Sequence, residues 1–180
     1  MTDIPRLTTD RLLLRAFTAD DFPAYAPIMA DPGVTRFLGE GRPLSRTEAW
    51  RQIAMILGHW TLRGFGLWAV EERATGRLLG RIGCQEPEGF PAFEIAYVLS
   101  HDAWGQGYAR EGAAAALQFA RDTLGRTDIT SIIRPANAGS IRVATSLGAV
   151  AAETVEFFGA PSVLYRYPSP VTRAALEVDT

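Results

Sequence analysis

Apolar and polar positions alternate along this chain with two different periods, and the changes of period mark its elements. Residues 11–17 (RLLLRAF) are a short apolar run between polar turn residues and predict a strand. Thr18 stands three residues ahead of Asp21, a weaker form of the capping box, and opens a helix near residues 20–30 that Asp31, Pro32 and Gly33 stop. Ser45 and Glu48 make the full S-x-x-E box, in which the hydroxyl accepts from the Glu48 amide and the carboxylate reaches back. Behind them Trp50, Ile53, Ile56, Leu57 and Trp60 recur at helical spacing until Gly64, a fitting C-terminal stop.

After Gly64 the period becomes two. Residues 65–71 and 78–85 flank a turn at Thr75 and Gly76 and predict an antiparallel hairpin. A Pro- and Gly-rich loop at 86–91 leads to a strand at 92–99, and a helix at about 110–124 carries Ala113, Ala114, Ala116, Leu117 and Ala120, small side chains that allow close approach to a sheet. A strand at 129–133, a short helix at 137–147 closed by Gly148, and two strands at 149–155 and 162–167 follow. About seven strands interleaved with helices, the second to fourth joined by hairpin-like connections, imply an α/β chain with a mixed sheet. The pattern predicts one domain over residues 1–168 and a C-terminal tail over 169–180.

Composition narrows the function. With 180 residues and 47% hydrophobic content the chain can bury one core but not comfortably two. A net charge of -2 without charged tails argues against nonspecific nucleic-acid binding, and all 18 basic residues are arginine, which excludes lysine chemistry. The single Cys84 permits no internal disulfide. An N-terminus without a signal-like apolar run, and no stretch of the ~18 apolar residues a membrane span needs, read as a cytoplasmic protein. Two lone histidines, His59 and His101, with a distant cysteine do not make a metal site.

The segment that carries chemistry is the turn Trp104-Gly105-Gln106-Gly107-Tyr108-Ala109 between a strand and the alanine-rich helix. Unpaired amides and partial positive charge at a helix N-terminus, with glycines that admit a phosphate, make an anion site. A dinucleotide fingerprint would need a third glycine where Arg110 stands, and a nucleotide P-loop needs a lysine the chain lacks. A tight turn with no ligand is the remaining alternative.

Four stretches in order, Arg11-Leu12 with Leu14-Arg15, then EIAYVL, WGQGYAREGAAAAL and PANAGSIRVATSLGA, resemble the motifs of the GNAT superfamily of N-acetyltransferases, most of all its RimJ/RimL-type ribosomal-protein branch. The likeness covers about residues 7–167. It implies a three-layer fold with a splayed, mostly antiparallel sheet, and acetyl-CoA as donor, its pyrophosphate on the amides of Gly105, Gln106, Gly107, Tyr108, Ala109 and Arg110. Trp104 stands where many members have Gln or Arg. The pantetheine arm is expected to lie along Val98 and Leu99 as an added pseudo-strand, with Asn137 bonding it.

Acetyl transfer to an amine needs an oxyanion holder, a neutral amine and a proton for the departing thiolate. The resemblance places Ser140 near the sulfur as that proton donor; ordinary helix capping is the competing reading for Asn137 and Ser140. No Tyr occupies the helix positions where many members carry their acid. Glu94, sharing a strand face with Ala96 and Val98 and desolvated by Phe90 and Phe93, is the expected general base, with Glu153 and Glu156 as rivals. Trp50, Trp60 and the Phe37–Glu40 loop are expected to roof the acceptor cleft, or else to belong to the core. The function expected is acetyl transfer to a primary amine, a protein N-terminal α-amine or a small molecule, by direct attack in a ternary complex without metal. A CoA-binding regulatory or degenerate module is the alternative, and the fold is compatible with a homodimer.

Overall fold

The structure is a computed structural model that describes residues 3–169. The tail expected over 169–180 therefore lies, but for Ser169, outside the described residues. Eight strands, β1 (Leu7–Thr8), β2 (Leu12–Arg15), β3 (Leu67–Glu72), β4 (Leu78–Gln85), β5 (Glu94–Leu99), β6 (Thr130–Ile133), β7 (Val150–Phe157) and β8 (Ala160–Arg166), form one sheet in the order β1-β2-β3-β4-β5-β6-β8-β7. The helices are α1 (Phe22–Ala30), α2 (Pro32–Thr35), α3 (Arg46–Arg63), α4 (Tyr108–Asp122) and α5 (Ala138–Ser146). Every neighbouring pair is antiparallel except β5 with β6. The strand that escapes the periodicity is β1, whose two residues are too few to show a period.

Local chemistry explains the boundaries. The Ser45 and Glu48 capping box begins α3, and Gly64 ends it in the left-handed conformation with φ 76°. Asp31-Pro32-Gly33 does stop α1, but the Asp31 side chain also accepts from the Gly33 amide and so starts the one-turn α2, which the sequence pattern does not predict. The predicted start of the first helix is a 3-10 turn at Ala19–Asp21 that holds the Thr18 and Asp21 box.

Helix α4 crosses one face of the sheet. A Cβ at Gly112 would stand 2.5 Å from the Ile82 Cδ1, so a larger residue there would push the end of the Ile82 side chain aside. Ala113, Ala116 and Ala120 are fully buried beside it. On the other face α1 packs over β4 with α3 alongside it; the end of α3 reaches round to the α4 side, where Trp60 meets Trp68, the register partner of Ile82, edge-on at 5.0 Å and donates its indole N–H to the Leu67 carbonyl at 2.9 Å. The two faces are read from the β4 and β5 register: Arg81 opposes Val98, Gly83 opposes Ala96 and Gln85 opposes Glu94, so these residues share the face under α1 and α3. Ile82 and Tyr97 share the opposite face with α4 and α5.

Candidate active site

The glycine turn has the form the sequence suggests. Gly105 and Gly107 adopt φ of 74° and 83°, and Gly107 is the N-cap of α4, with no side chain to bond the helix's first amides. The turn is braced from outside. The Arg11 guanidinium donates to the Gln106 carbonyl at 2.9 Å, pairs with Glu111 at 2.7 Å, and lies over the Tyr108 ring. The Gln106 side chain bonds the Asp102 carbonyl, and the Trp104 indole donates to the Leu99 carbonyl at 2.9 Å. A cavity of about 510 Å³ opens against this turn, lined by Val98, Leu99, Gly105, Gly107, Tyr108, Ala109, Arg110 and Asn137 among others. Of the positions expected to bind the donor, Gln106 alone does not line it, because its carbonyl and side chain are both engaged in bracing the turn. The Tyr108 hydroxyl is engaged elsewhere, donating to Glu72 at 2.6 Å.

Strands β5 and β6 pair at one register position, Glu94 with Thr130, and then diverge. Side chains occupy the start of the wedge: the Ser131 hydroxyl donates to the Ile95 carbonyl at 2.7 Å, and the Glu94 carboxylate accepts from the Ile132 amide at 3.3 Å. Farther along, the Tyr97 hydroxyl crosses to the Ser140 carbonyl on α5 at 2.8 Å. Asn137 is the N-cap of α5, its side-chain oxygen accepting from the Ser140 amide at 3.1 Å. The capping reading of Asn137 is therefore correct, and it leaves the side-chain NH2 to face the cavity. Ser140 is half-buried at the same place.

A second cavity, about 400 Å³, lies beyond the first and shares Phe37, Leu38, Tyr97, Val98, Asn137 and Ser140 with it. Glu94 lines this second cavity with only 8% of its surface exposed. Burial pushes its carboxyl up to about 7, against the opposing effects of a hydrogen bond from the Gln85 amide at 2.8 Å, the Ile132 amide and the charge of Arg81. The rivals Glu153 and Glu156 are exposed on β7 and line neither cavity; Glu153 pairs with Arg166.

Several expectations change. Phe90 lines the second cavity with Phe157 and Phe158, but Phe93 does not; it packs against Phe65 in the core. Trp60 belongs to the core and Trp50 is 58% exposed, so α3 contributes Gln52 and Met55 to the roof instead, beside the Phe37–Glu40 loop. His59 is structural, its ring bonded to the Phe65 carbonyl at 2.7 Å and to the Glu86 amide at 3.2 Å. Cys84 is fully buried and its thiol is pushed up to about 12 by burial, which rules it out as a nucleophile at neutral pH. No cluster of metal-ligating side chains occurs among the described residues. Sequence reasoning passes over Arg81, although a lone arginine inside the apolar run LLGRIGC is the available signal.

A wedge between two strands, with an uncapped helix N-terminus at one end and a buried carboxylate at the other, is built for group transfer from a long anionic donor to an acceptor in an adjoining cavity. The chain belongs to the GNAT acetyltransferase family: residues 11–150 match the acetyltransferase (GNAT) domain. It is thus a transferase, and enzymes of this family draw their acetyl group from acetyl-CoA. An acetyltransferase of Agrobacterium tumefaciens is similar in structure, with a TM-score of 0.80 and 32% identity over 90% of this chain and 94% of that one. An uncharacterized N-acetyltransferase of Bacillus subtilis, YoaA, is 28% identical over 80% of this chain and 82% of its own. A RimL ribosomal L7/L12 α-N-protein acetyltransferase in complex with coenzyme A shares the fold at 16% identity, with a TM-score of 0.73 over 91% of this chain and 98% of that one. No helix among the described residues is long and apolar enough to cross a membrane.

Proposed function

We propose that the protein transfers the acetyl group of acetyl-CoA to a primary amine by direct attack within a ternary complex, Glu94 acting as the base. The observation that carries this reading is the continuity of the two cavities at Tyr97, Val98, Asn137 and Ser140, with the anion-binding turn on one side and Glu94 on the other. The α4 amides and Arg110 receive the pyrophosphate, and the edge of β5 that parts from β6, at Val98 and Leu99, holds the pantetheine arm and the thioester oxygen. The amine nitrogen attacks the thioester carbon, the C–S bond breaks, and the thiolate takes a proton from the Ser140 hydroxyl or a water beside it. The amine's surplus proton passes to Glu94, directly or through water, and from there to solvent.

A carboxyl that titrates at about 7 suits this task, because it is largely ionised where an α-amine, with an ordinary pKa of about 7.7–8.0, is partly neutral. Its burial also argues against a module that only binds CoA. A buried carboxyl reaching into the second cavity costs stability, and donor binding does not require it. The RimJ/RimL likeness favours a protein N-terminal α-amine over a small molecule. Titration calorimetry with acetyl-CoA, then thiol release over a panel of N-terminal peptides and small amines, tests the whole reading. No heat of binding at millimolar acetyl-CoA sinks it; tight binding without thiol release from any amine leaves the binding module in its place.

A further inference from the structure

Arg81 occupies the middle of β4, between the fully buried Leu79 and Ile82, and is itself only 7% exposed. Its register partner is Val98, which places it on the sheet face that carries Glu94 and under the second cavity. It lines that cavity and not the one against the glycine turn. The Nε is fully buried without a hydrogen-bond partner, and among the described residues no carboxylate comes within the 4.0 Å of an ion pair with it. Its polar company includes the Tyr25 hydroxyl, itself bonded to Gln52 at 2.6 Å, and the charge of Glu94. The other two arginines of the cavity are engaged: Arg42 by the carboxylates of Glu40 and Glu48, Arg134 by the backbone carbonyls of Arg36 and Gly39.

A buried guanidinium is stable when an anion answers it, and its planar fork matches a carboxylate in bidentate fashion. We infer that the acceptor is a primary amine that also carries a carboxylate, and that Arg81 binds this carboxylate in the cavity shared with Glu94. The inference rests on the acetyl-transfer reading and names the substrate class of the same site. With the acceptor's carboxylate on Arg81, its amine is left to approach the thioester near Val98, the residue directly across from Arg81 in the sheet. Arg81 is then the specificity residue of the enzyme, and an amine whose carboxylate is replaced by a neutral amide leaves the guanidinium unanswered.

The test uses the intact protein with saturating acetyl-CoA and a panel of amino acids and short peptides, each offered as the free acid and as the matched carboxamide. The wild-type protein should favour the acids by roughly tenfold or more in kcat/KM. Arg81→Met should erase that preference while acetyl-CoA affinity, read by calorimetry, changes by no more than about twofold; Arg81→Lys, which keeps the charge and loses the fork, should retain part of it. Equal rates on acids and amides in the wild type overturn the inference without any variant being needed. So does a preference that survives Arg81→Met. If no amine releases thiol, the transferase reading fails by itself, and binding of the free acids in the presence of CoA, followed by ligand-observed NMR, still decides on Arg81: weakening by Arg81→Met supports it, and no binding of acids over amides at millimolar concentration rejects it.

Discussion

Replacing Glu94 with glutamine separates the chemical role of this side chain from its effect on stability, because the two have different pH signatures. The folded carboxyl titrates at about 7 against an ordinary value of 4.5. Between these values the folded protein holds a proton that the unfolded chain has released. Stability therefore falls as pH rises through this interval and levels off above about pH 7, by an amount on the order of 3 kcal/mol if burial alone sets the difference. The glutamine of E94Q fills the same volume, accepts from the Ile132 amide, and can bond a rotated Gln85 amide, but it does not titrate. Thermal melts across pH 5 to 8 should show the wild type losing several degrees relative to E94Q as pH rises. The same substitution should lower kcat by roughly 10²–10⁴-fold and abolish the inflection near pH 7 in the kcat profile, leaving only the limb of the amine itself. A wild-type inflection that persists in E94Q would refute the assignment of the base. A melting difference that stays constant from pH 5 to 8 would refute the burial argument beneath it.

The other predictions concern the donor side. Gly107→Val places a β-branched residue at φ 83° with its Cβ 3.3 Å from the Arg11 guanidinium, and should raise the Kd for acetyl-CoA roughly tenfold or more while lowering Tm by a few degrees; unchanged affinity would leave the turn a purely structural device. Asn137→Asp keeps the oxygen that caps α5 but removes the NH2, so Tm should hold within about a degree or two while acetyl-CoA affinity drops, whereas Asn137→Ala should also lose the ~1 kcal/mol of the cap. Ser140→Ala should lower kcat with little change in acetyl-CoA affinity, and an unaltered kcat would assign the thiolate's proton to water instead. These are read by calorimetry, melting and steady-state thiol release.

Where a local rule decides an element, the sequence reveals it. Both ends of α3 follow from the Ser45 and Glu48 box and from Gly64, and the close lie of α4 follows from its run of small residues. The wedge between β5 and β6 has no such local signature, because nothing in EIAYVL or TSII distinguishes a strand that parts from its neighbour from one that pairs along its length. Family resemblance alone suggests it. The roof of the second cavity escapes the sequence for a related reason: helical spacing groups Trp50 with Trp60, yet one faces solvent and the other the Trp68 side of the core, and only the packed helix shows which. Arg81 is hidden by its neighbours. An arginine among leucine, isoleucine and glycine reads as a strand position, and its lack of a carboxylate partner is a tertiary fact, since the carboxylates that fail to reach it lie on other elements.

The Tyr97 hydroxyl bonded to the Ser140 carbonyl gives the sheet an unusual property. Most sheets end in two borders, but this one also has an edge in its middle, where β5 leaves β6 and its polar groups are open along part of their length. Borders of that kind invite a strand from another molecule. Here the Tyr97 phenol ties β5 to α5, the helix that follows β6, beside the opening. A slender, amide-bearing arm without side chains can pass along such a gap, while a peptide strand brings substituents on both faces. The Tyr97 strut that tethers α5 to the sheet holds helix and strand together beside this interior edge.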